Sequence, residues 1–168
     1  MNKVIVLAFS IFLTTSLYAY NSNTIIVNDI ANVLHEDEKK EISQVIDSLK
    51  SDLGTEIAIL IVKNTNNKTI EEYSSEYFEN NKLGSKNNLD GLLLVISLET
   101  RQVRIEVGYG LEKIIKDDIA GKIIREILVP NLKKNNYAIG VLESIKNIDY
   151  RIRSNPELIG DIKGIKVN

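Results

Sequence analysis

Seven side chains with carboxylate or amide oxygens fall in three short segments that the sequence predicts to be loops. The first segment follows a short stretch of apolar residues, and the second precedes a longer apolar stretch. The third follows a stretch in which apolar and polar residues alternate. Oxygen ligands without sulfur suit calcium or magnesium rather than zinc or copper. We expect the three loops to converge on a divalent-cation site, Ca²⁺ or Mg²⁺. The candidate ligands are Asp29, Asp90, Glu112 and Asp117, with Asn87, Asn88 and Asp118 beside them.

The same carboxylates have a second, purely structural interpretation. Asp117 stands where it would cap a helix, and Asp90 and Asp29 stand where Asx turns form. The residue types and their spacing leave both interpretations open.

Other catalytic chemistries lack the residues that they need. With no cysteine, the chain has no thiolate metal site, disulfide or cysteine nucleophile. The single histidine, His35, precedes an acidic helix turn and is predicted to be an exposed residue at a helix start. The segment Gly108-Tyr109-Gly110 lacks the third glycine of a dinucleotide fingerprint and the Gly-Lys-Ser/Thr of a Walker loop. We predict that these glycines serve the backbone, through unusual dihedral angles.

Length and charge indicate one soluble domain with no preference for nucleic acid. The chain has 168 residues, 43% of them hydrophobic, which is enough for a single core. Its 21 basic and 23 acidic residues are spread along the sequence, with a net charge of −2. The absence of a strongly basic patch argues against nucleic-acid binding.

Residues 1–19 predict export. Lys3 provides a positive charge, and Val4 to Leu13 is apolar except for Ser10, too short for a membrane-spanning helix. We expect cleavage after Ala19 and a periplasmic or secreted protein. An uncleaved anchor is the alternative, because Leu17, at position −3 from the cleavage site, is large for a signal-peptidase site.

Hydrophobic periodicity predicts four helices and four strands. Two strand segments, 56–62 and 92–98, are almost wholly apolar, as in strands covered on both faces. Strands interleaved with helices predict an α/β fold, a three-layer α-β-α sandwich with a mixed central sheet, one antiparallel hairpin and helices on both faces. Three aromatic residues at helical spacing are interpreted as core packing, with a partner groove as the alternative: Tyr73, Tyr77 and Phe78. The helices are predicted over 36–53, 69–82, 117–128 and 137–152, and the strands over 24–27, 56–62, 92–98 and 103–107.

Several sequence strings, spread over most of the chain, carry a resemblance to a known family. They include Asp90-Gly91-Leu92-Leu93-Leu94-Val95, Ile105-Glu106-Val107-Gly108-Tyr109-Gly110-Leu111-Glu112 and Asn136-Tyr137-Ala138-Ile139-Gly140-Val141. In these strings the chain resembles the TPM domain family, which includes the thylakoid acid phosphatase and many exported bacterial proteins of unknown role. The resemblance covers about 24–153 and leaves 154–168 as a short tail.

The resemblance implies a sheet flanked by helices, export and, in some members, a divalent cation held by acidic loops at one end of the sheet. Asp29, Glu112 and Asp117 match acidic positions of the family pattern. Many members have Asp-Asn-Gly where this chain has Leu89-Asp90-Gly91, and this departure weakens the case for Asp90 as a direct ligand. Many bacterial members continue into a transmembrane segment and a glycine-rich tail, which this sequence lacks, so we expect no transmembrane segment in the mature chain.

These features support two functional hypotheses. The favoured one is a divalent-cation-binding interaction or adaptor module that acts on envelope or membrane-protein partners. The alternative is a metal-dependent acid phosphatase in which Asp117 or Asp90 activates water, although the sequence offers no nucleophile, arginine clamp or histidine acid for it. A third interpretation, a structural domain whose acidic residues only cap turns, predicts no response to cations. The sequence does not define an oligomeric state.

Overall fold

The computed structural model describes residues 26–163. The predicted signal peptide, 1–19, lies outside the described residues, as do Thr24 and Ile25 of the predicted first strand and the end of the tail, 164–168. Within the described part, no helix combines the length and apolar character needed to cross a membrane.

A four-stranded mixed sheet forms the centre of the domain. The order is β1-β2-β3-β4, with the first three strands parallel and β4 antiparallel to β3. The α/β fold with one antiparallel hairpin is therefore confirmed, and β4 lies at a sheet edge. The strands are β1 (Val27–Asp29), β2 (Glu56–Val62), β3 (Gly91–Ser97) and β4 (Gln102–Val107).

The first strand differs from its prediction. It continues through Asn28 and Asp29, which pair with Leu60 and Ile61 of β2, instead of turning there. Pairing with a buried central strand overrides the turn preference of Asn and Asp.

Helices cover both faces of the sheet. The first predicted helix and the last are found within one residue of their predicted bounds, because their apolar faces are periodic over four turns or more. The helix α1 begins after exposed His35, whose N–H donates to Glu38, and ends at Gly54, which has a φ of 80°. The helices are α1 (Glu36–Leu53), α2 (Ile70–Asn80), α3 (Asp117–Ile123), α4 (Val129–Leu132) and α5 (Tyr137–Arg153).

The third predicted helix, 117–128, continues beyond its predicted end and past Pro130. A π-helical segment, Ile124–Leu128, joins α3 to α4, and the N–H of Val129 donates to the carbonyl of Ile124 five residues earlier. Pro130, which has no N–H, then falls in the first turn of α4, where an N–H is not needed. The helical path therefore continues to Leu132.

The two faces of the sheet bury cores of different size. The larger core joins alternate residues of β2 and β3, such as Ile59 and Leu94, to α1, α3 and α5. The smaller core joins Leu60 and Leu93, on the opposite face, to Ile70 of α2. The aromatic residues Tyr73, Tyr77 and Phe78 pack against this smaller core, which confirms the core interpretation.

Candidate functional site

Two of the three predicted loops meet at one end of the sheet. The connection 83–90 leads into β3, and the connection 108–116 leaves β4, its antiparallel neighbour. Backbone hydrogen bonds join them, from Gly108 N–H to the Gly91 carbonyl at 2.8 Å and from Gly110 N–H to the Leu89 carbonyl at 3.0 Å. We call this region, at the amino ends of β2 and β3, the loop end.

The glycines of the Gly108-Tyr109-Gly110 string are required by close contact rather than by unusual dihedral angles. Gly108 has a φ of −68°, and Gly110 is not among the positive-φ residues, so that part of our expectation is wrong. A Cβ on Gly110 would lie 1.7 Å from the backbone oxygen of Asn88, and one on Gly108 would lie 2.4 Å from that of Leu89. The two glycines therefore allow the connection 108–116 to pack directly against the backbone of the connection 83–90.

Asp90 is fully buried at the loop end and holds the connection before β3 together. Its Oδ1 accepts hydrogen bonds from the N–H and the hydroxyl of Ser85, both at 2.8 Å. The predicted Asx turn before Gly91 is therefore wrong, because the partner lies five residues earlier. Its other oxygen, Oδ2, is buried and has no hydrogen-bond partner within residues 26–163.

Glu112 and Asp117 form a second acidic feature at the same end. Glu112 follows the 3₁₀ turn of the glycine string, and Asp117 is the first residue of α3. Burial, and secondly the charge of Asp117, raise the pKa of the Glu112 carboxyl. Neither side chain forms a hydrogen bond or ion pair with another described residue. The two carboxylates therefore repel each other without a protein cation between them.

The predicted capping role of Asp117 is wrong, since Lys116 occupies the N-cap position and Asp117 is already helical. Asp117 and Asp118 are exposed in the first turn, where the helix dipole stabilises negative charge. Asn87 and Asn88 are also exposed, on the connection before β3.

Asp29 does not belong to the loop end. It pairs with Ile61, whereas Glu56, at the other end of β2, pairs with Gly91. Five residues of strand span about 17 Å, so the expected convergence of all three loops is wrong. The Oδ2 of Asp29 accepts from the N–H groups of Val33 and Leu34, at 2.8 and 2.7 Å, which is a loop-closing role rather than an Asx turn. Its Oδ1 is buried without a hydrogen-bond partner in the described part of the chain.

A complete protein-derived metal centre is not assembled among residues 26–163, because no three His, Cys, Asp or Glu side chains come together there. The loop end offers two neighbouring carboxylates, on Glu112 and Asp117, near the connection that contains Asp90. Water and backbone carbonyls would have to complete any coordination sphere, as is usual for magnesium and common for calcium.

Sequence reasoning missed several residues that support the loop end. Glu56 accepts from Gly84 N–H at 3.0 Å and pairs with Lys50 at 2.9 Å. The tail also returns here, since Lys113 pairs with Asp161 at 2.8 Å and Gly160 N–H donates to the Gly110 carbonyl. The ion pair lowers the pKa of Asp161. The weak pattern of the tail gave no signal of this contact.

The TPM domain family model matches residues 27–151. This chain belongs to the TPM domain family. The N-terminal domain of a protein from P. gingivalis, solved by NMR, is similar to this TPM domain, with a TM-score of 0.73 and 27% identity over 80% of this chain and 85% of that one. No match was found among curated proteins.

Two further solved structures share the fold. The BA42 protein from the psychrophilic bacterium Bizionia argentinensis has a TM-score of 0.63 and 19% identity, over 72% of this chain and 82% of that one. The N-terminal domain of the cg2496 protein from Corynebacterium glutamicum has a TM-score of 0.61 and 15% identity, over 88% and 86%. At these identities the likeness concerns the fold alone.

Proposed function

We propose that this TPM domain is an exported interaction module that binds a divalent cation, calcium or magnesium, at its loop end and docks on envelope or membrane-protein partners. The cation would hold the connections 83–90 and 108–116 in one arrangement. A partner would then recognise the exposed polar surface of these loops, which includes Lys86, Asn87 and Asp118.

The observation that carries the proposal is the pair Glu112 and Asp117. The pKa of the Glu112 carboxyl is raised first by burial and secondly by the charge of Asp117, so a positive charge beside the two carboxylates would stabilise their ionised forms. No Lys or Arg pairs with either of them within the described residues. A hard cation between them would remove the repulsion, and carboxylate oxygens are the ligands that Ca²⁺ and Mg²⁺ prefer.

The ligand set that fits is smaller than the one expected from the sequence. Glu112 and Asp117 would hold the ion, and the unpartnered Oδ2 of buried Asp90 is the third oxygen to consider at this end. Asp29 is excluded from the set because it lies at the opposite end of the strands. Bound there, the ion would supply positive charge that rigidifies the loops.

Thermal unfolding of the purified protein in EDTA, CaCl₂ or MgCl₂ tests the proposal. An ion at 100 times its dissociation constant should add about 2.7 kcal/mol to the free energy of unfolding. For a domain of this size that raises Tm by roughly 5–10 °C. Glu112→Gln and Asp117→Asn should each remove most of the shift, whereas Asp37→Asn, an exposed change on α1, should keep it.

Two outcomes would contradict the proposal. One is a Tm that neither CaCl₂ nor MgCl₂ changes. The other is a cation-dependent Tm shift that persists in both Glu112→Gln and Asp117→Asn. A phosphomonoester assay in the same buffers separates the alternative function. Phosphate release by the wild type that Asp117→Ala abolishes would indicate an acid phosphatase instead of a module without turnover.

A further inference from the structure

A groove of about 530 Å³ opens at the end of the sheet opposite the loop end, where β3 finishes and β4 begins. It lies between this hairpin turn and the α4–α5 connection. Its volume is typical of sites that take small molecules. Its apolar lining includes Ile96 of the larger core, and Val103 and Leu132, which pack against that core.

The charged residues that line this groove are both basic. Arg101 projects from the hairpin turn and Lys133 from the end of α4, and no acidic residue is part of the lining. Neither side chain forms an ion pair or hydrogen bond with any residue between 26 and 163. Gln102, Asn135 and Tyr137 add neutral hydrogen-bonding groups to the rim. The groove therefore combines an apolar lining with unneutralised positive charge.

The hairpin turn places Arg101 beside the groove. The turn is closed by a hydrogen bond from Arg101 N–H to the Leu98 carbonyl, at 3.3 Å. Arg101 has a φ of 53°, in the left-handed region that Lys82 and Leu89 also adopt in this structure.

We propose that this groove binds an amphiphilic anion, a ligand with an apolar body of several carbons and one carboxylate or phosphate group. The apolar lining would take the apolar body, and Arg101 and Lys133 would bind the anionic group. The groove lies at the carboxyl end of β3, one of the three parallel strands, and in open α/β sheets ligands usually bind outside the carboxyl ends of such strands. About 17 Å of hairpin, five residues of β3, separates it from the loop end, so this proposal is independent of the cation site.

NMR titration of the isotope-labelled protein tests the groove, with decanoate and decyl phosphate as probes. Decanol controls for apolar binding, and acetate and inorganic phosphate control for the charge. We expect saturable binding of decanoate, decyl phosphate or both, with shift changes concentrated at 96–103 and 129–137 and at least tenfold weaker binding of the controls. Whichever anion binds more tightly identifies the head group.

Charge-removing variants complete the test. Arg101→Gln and Lys133→Gln should each weaken binding about tenfold, as expected for loss of one charge-assisted hydrogen bond, while Lys40→Gln on α1 should not. Equal affinity for decanol, shift changes centred elsewhere, or unchanged affinity in both groove variants would overturn the proposal. So would the absence of binding by either anion.

Discussion

Glu112 makes the stability of this domain depend on pH in a definite direction. Burial, and then the charge of Asp117, raise the pKa of its carboxyl in the folded state. A carboxyl with a raised folded-state pKa binds its proton more tightly when the protein is folded. Its stabilising contribution is therefore present below the unfolded pKa and is lost as the pH rises through the folded pKa.

We expect Glu112→Gln to become more stable relative to the wild type as the pH is raised from about 4 to about 7 in EDTA. Glutamine does not ionise, so it removes both the cost of burying a charge and the repulsion with Asp117, which develop over this range. Thermal unfolding at a series of pH values measures the difference, with Glu41→Gln, an exposed change on α1, as the control for loss of one charge. A constant difference between Glu112→Gln and the wild type would contradict this prediction.

At the scale of helices and strands, the sequence correctly predicted the elements whose bounds are set by hydrophobic periodicity and by residues that end a helix. The bounds of α1 and β2 agree with the structure, because Gly54 separates an amphipathic helix from a continuous apolar run. The second predicted helix, 69–82, is found as α2, which begins with a capping box in which Thr69 accepts from Glu72 N–H. These signals are local, and the tertiary contacts of the same segments favour the same structure.

The convergence of the loops could not be predicted in the same way. In a parallel pair, the loop that follows the first strand and the loop that precedes the second lie at opposite ends of the strands. Asp29 is the last residue of β1 and Asp90 precedes β3, so they lie at opposite ends of the sheet. Gly108 follows antiparallel β4 and therefore returns to the end where Asp90 lies. The direction of a three-residue strand such as β1 leaves no mark in its composition.

The contact between the two loops of the loop end predicts a large effect of Gly110→Ala. The added Cβ would meet the backbone oxygen of Asn88 at 1.7 Å, so one of the loops must move. We expect a loss of about 3 kcal/mol or more, at the upper end of the range for overpacking. Urea denaturation of the variant and the wild type measures the change.

Gly54→Ala is the matched control for Gly110→Ala. Gly54 has a positive φ, but a Cβ there would meet no atom within 4 Å. It should cost only the preference against left-handed backbone, about 1–2 kcal/mol. A smaller loss for Gly110→Ala than for Gly54→Ala would show that the glycine string does not depend on close packing.

At the scale of the whole molecule, the domain consists of a sheet between two unequal helical layers. On one face, α1 and α5 pack against each other and bury residues such as Leu49 and Ile145 completely. On the other face α2 is the one helix found among residues 26–163, and its aromatic side chains remain partly exposed. Helices that bury less apolar surface open at lower free energy, so the α2 layer is the weaker one.

Native-state hydrogen exchange should therefore find that α2 opens below the global unfolding free energy, while α1 and α5 exchange only on global unfolding. Two truncations in the core make the test specific. Ile145→Ala, in the buried face of α5, should lower the protection of α1 and α5 by about 2–5 kcal/mol. The protection of α2 should fall less, because Ile145 stays packed when α2 alone opens. Ile70→Ala should lower the opening free energy of α2 and the global unfolding free energy together, because both openings expose that residue. Equal losses in α1 and α2 after Ile145→Ala would mean that both layers unfold as one unit.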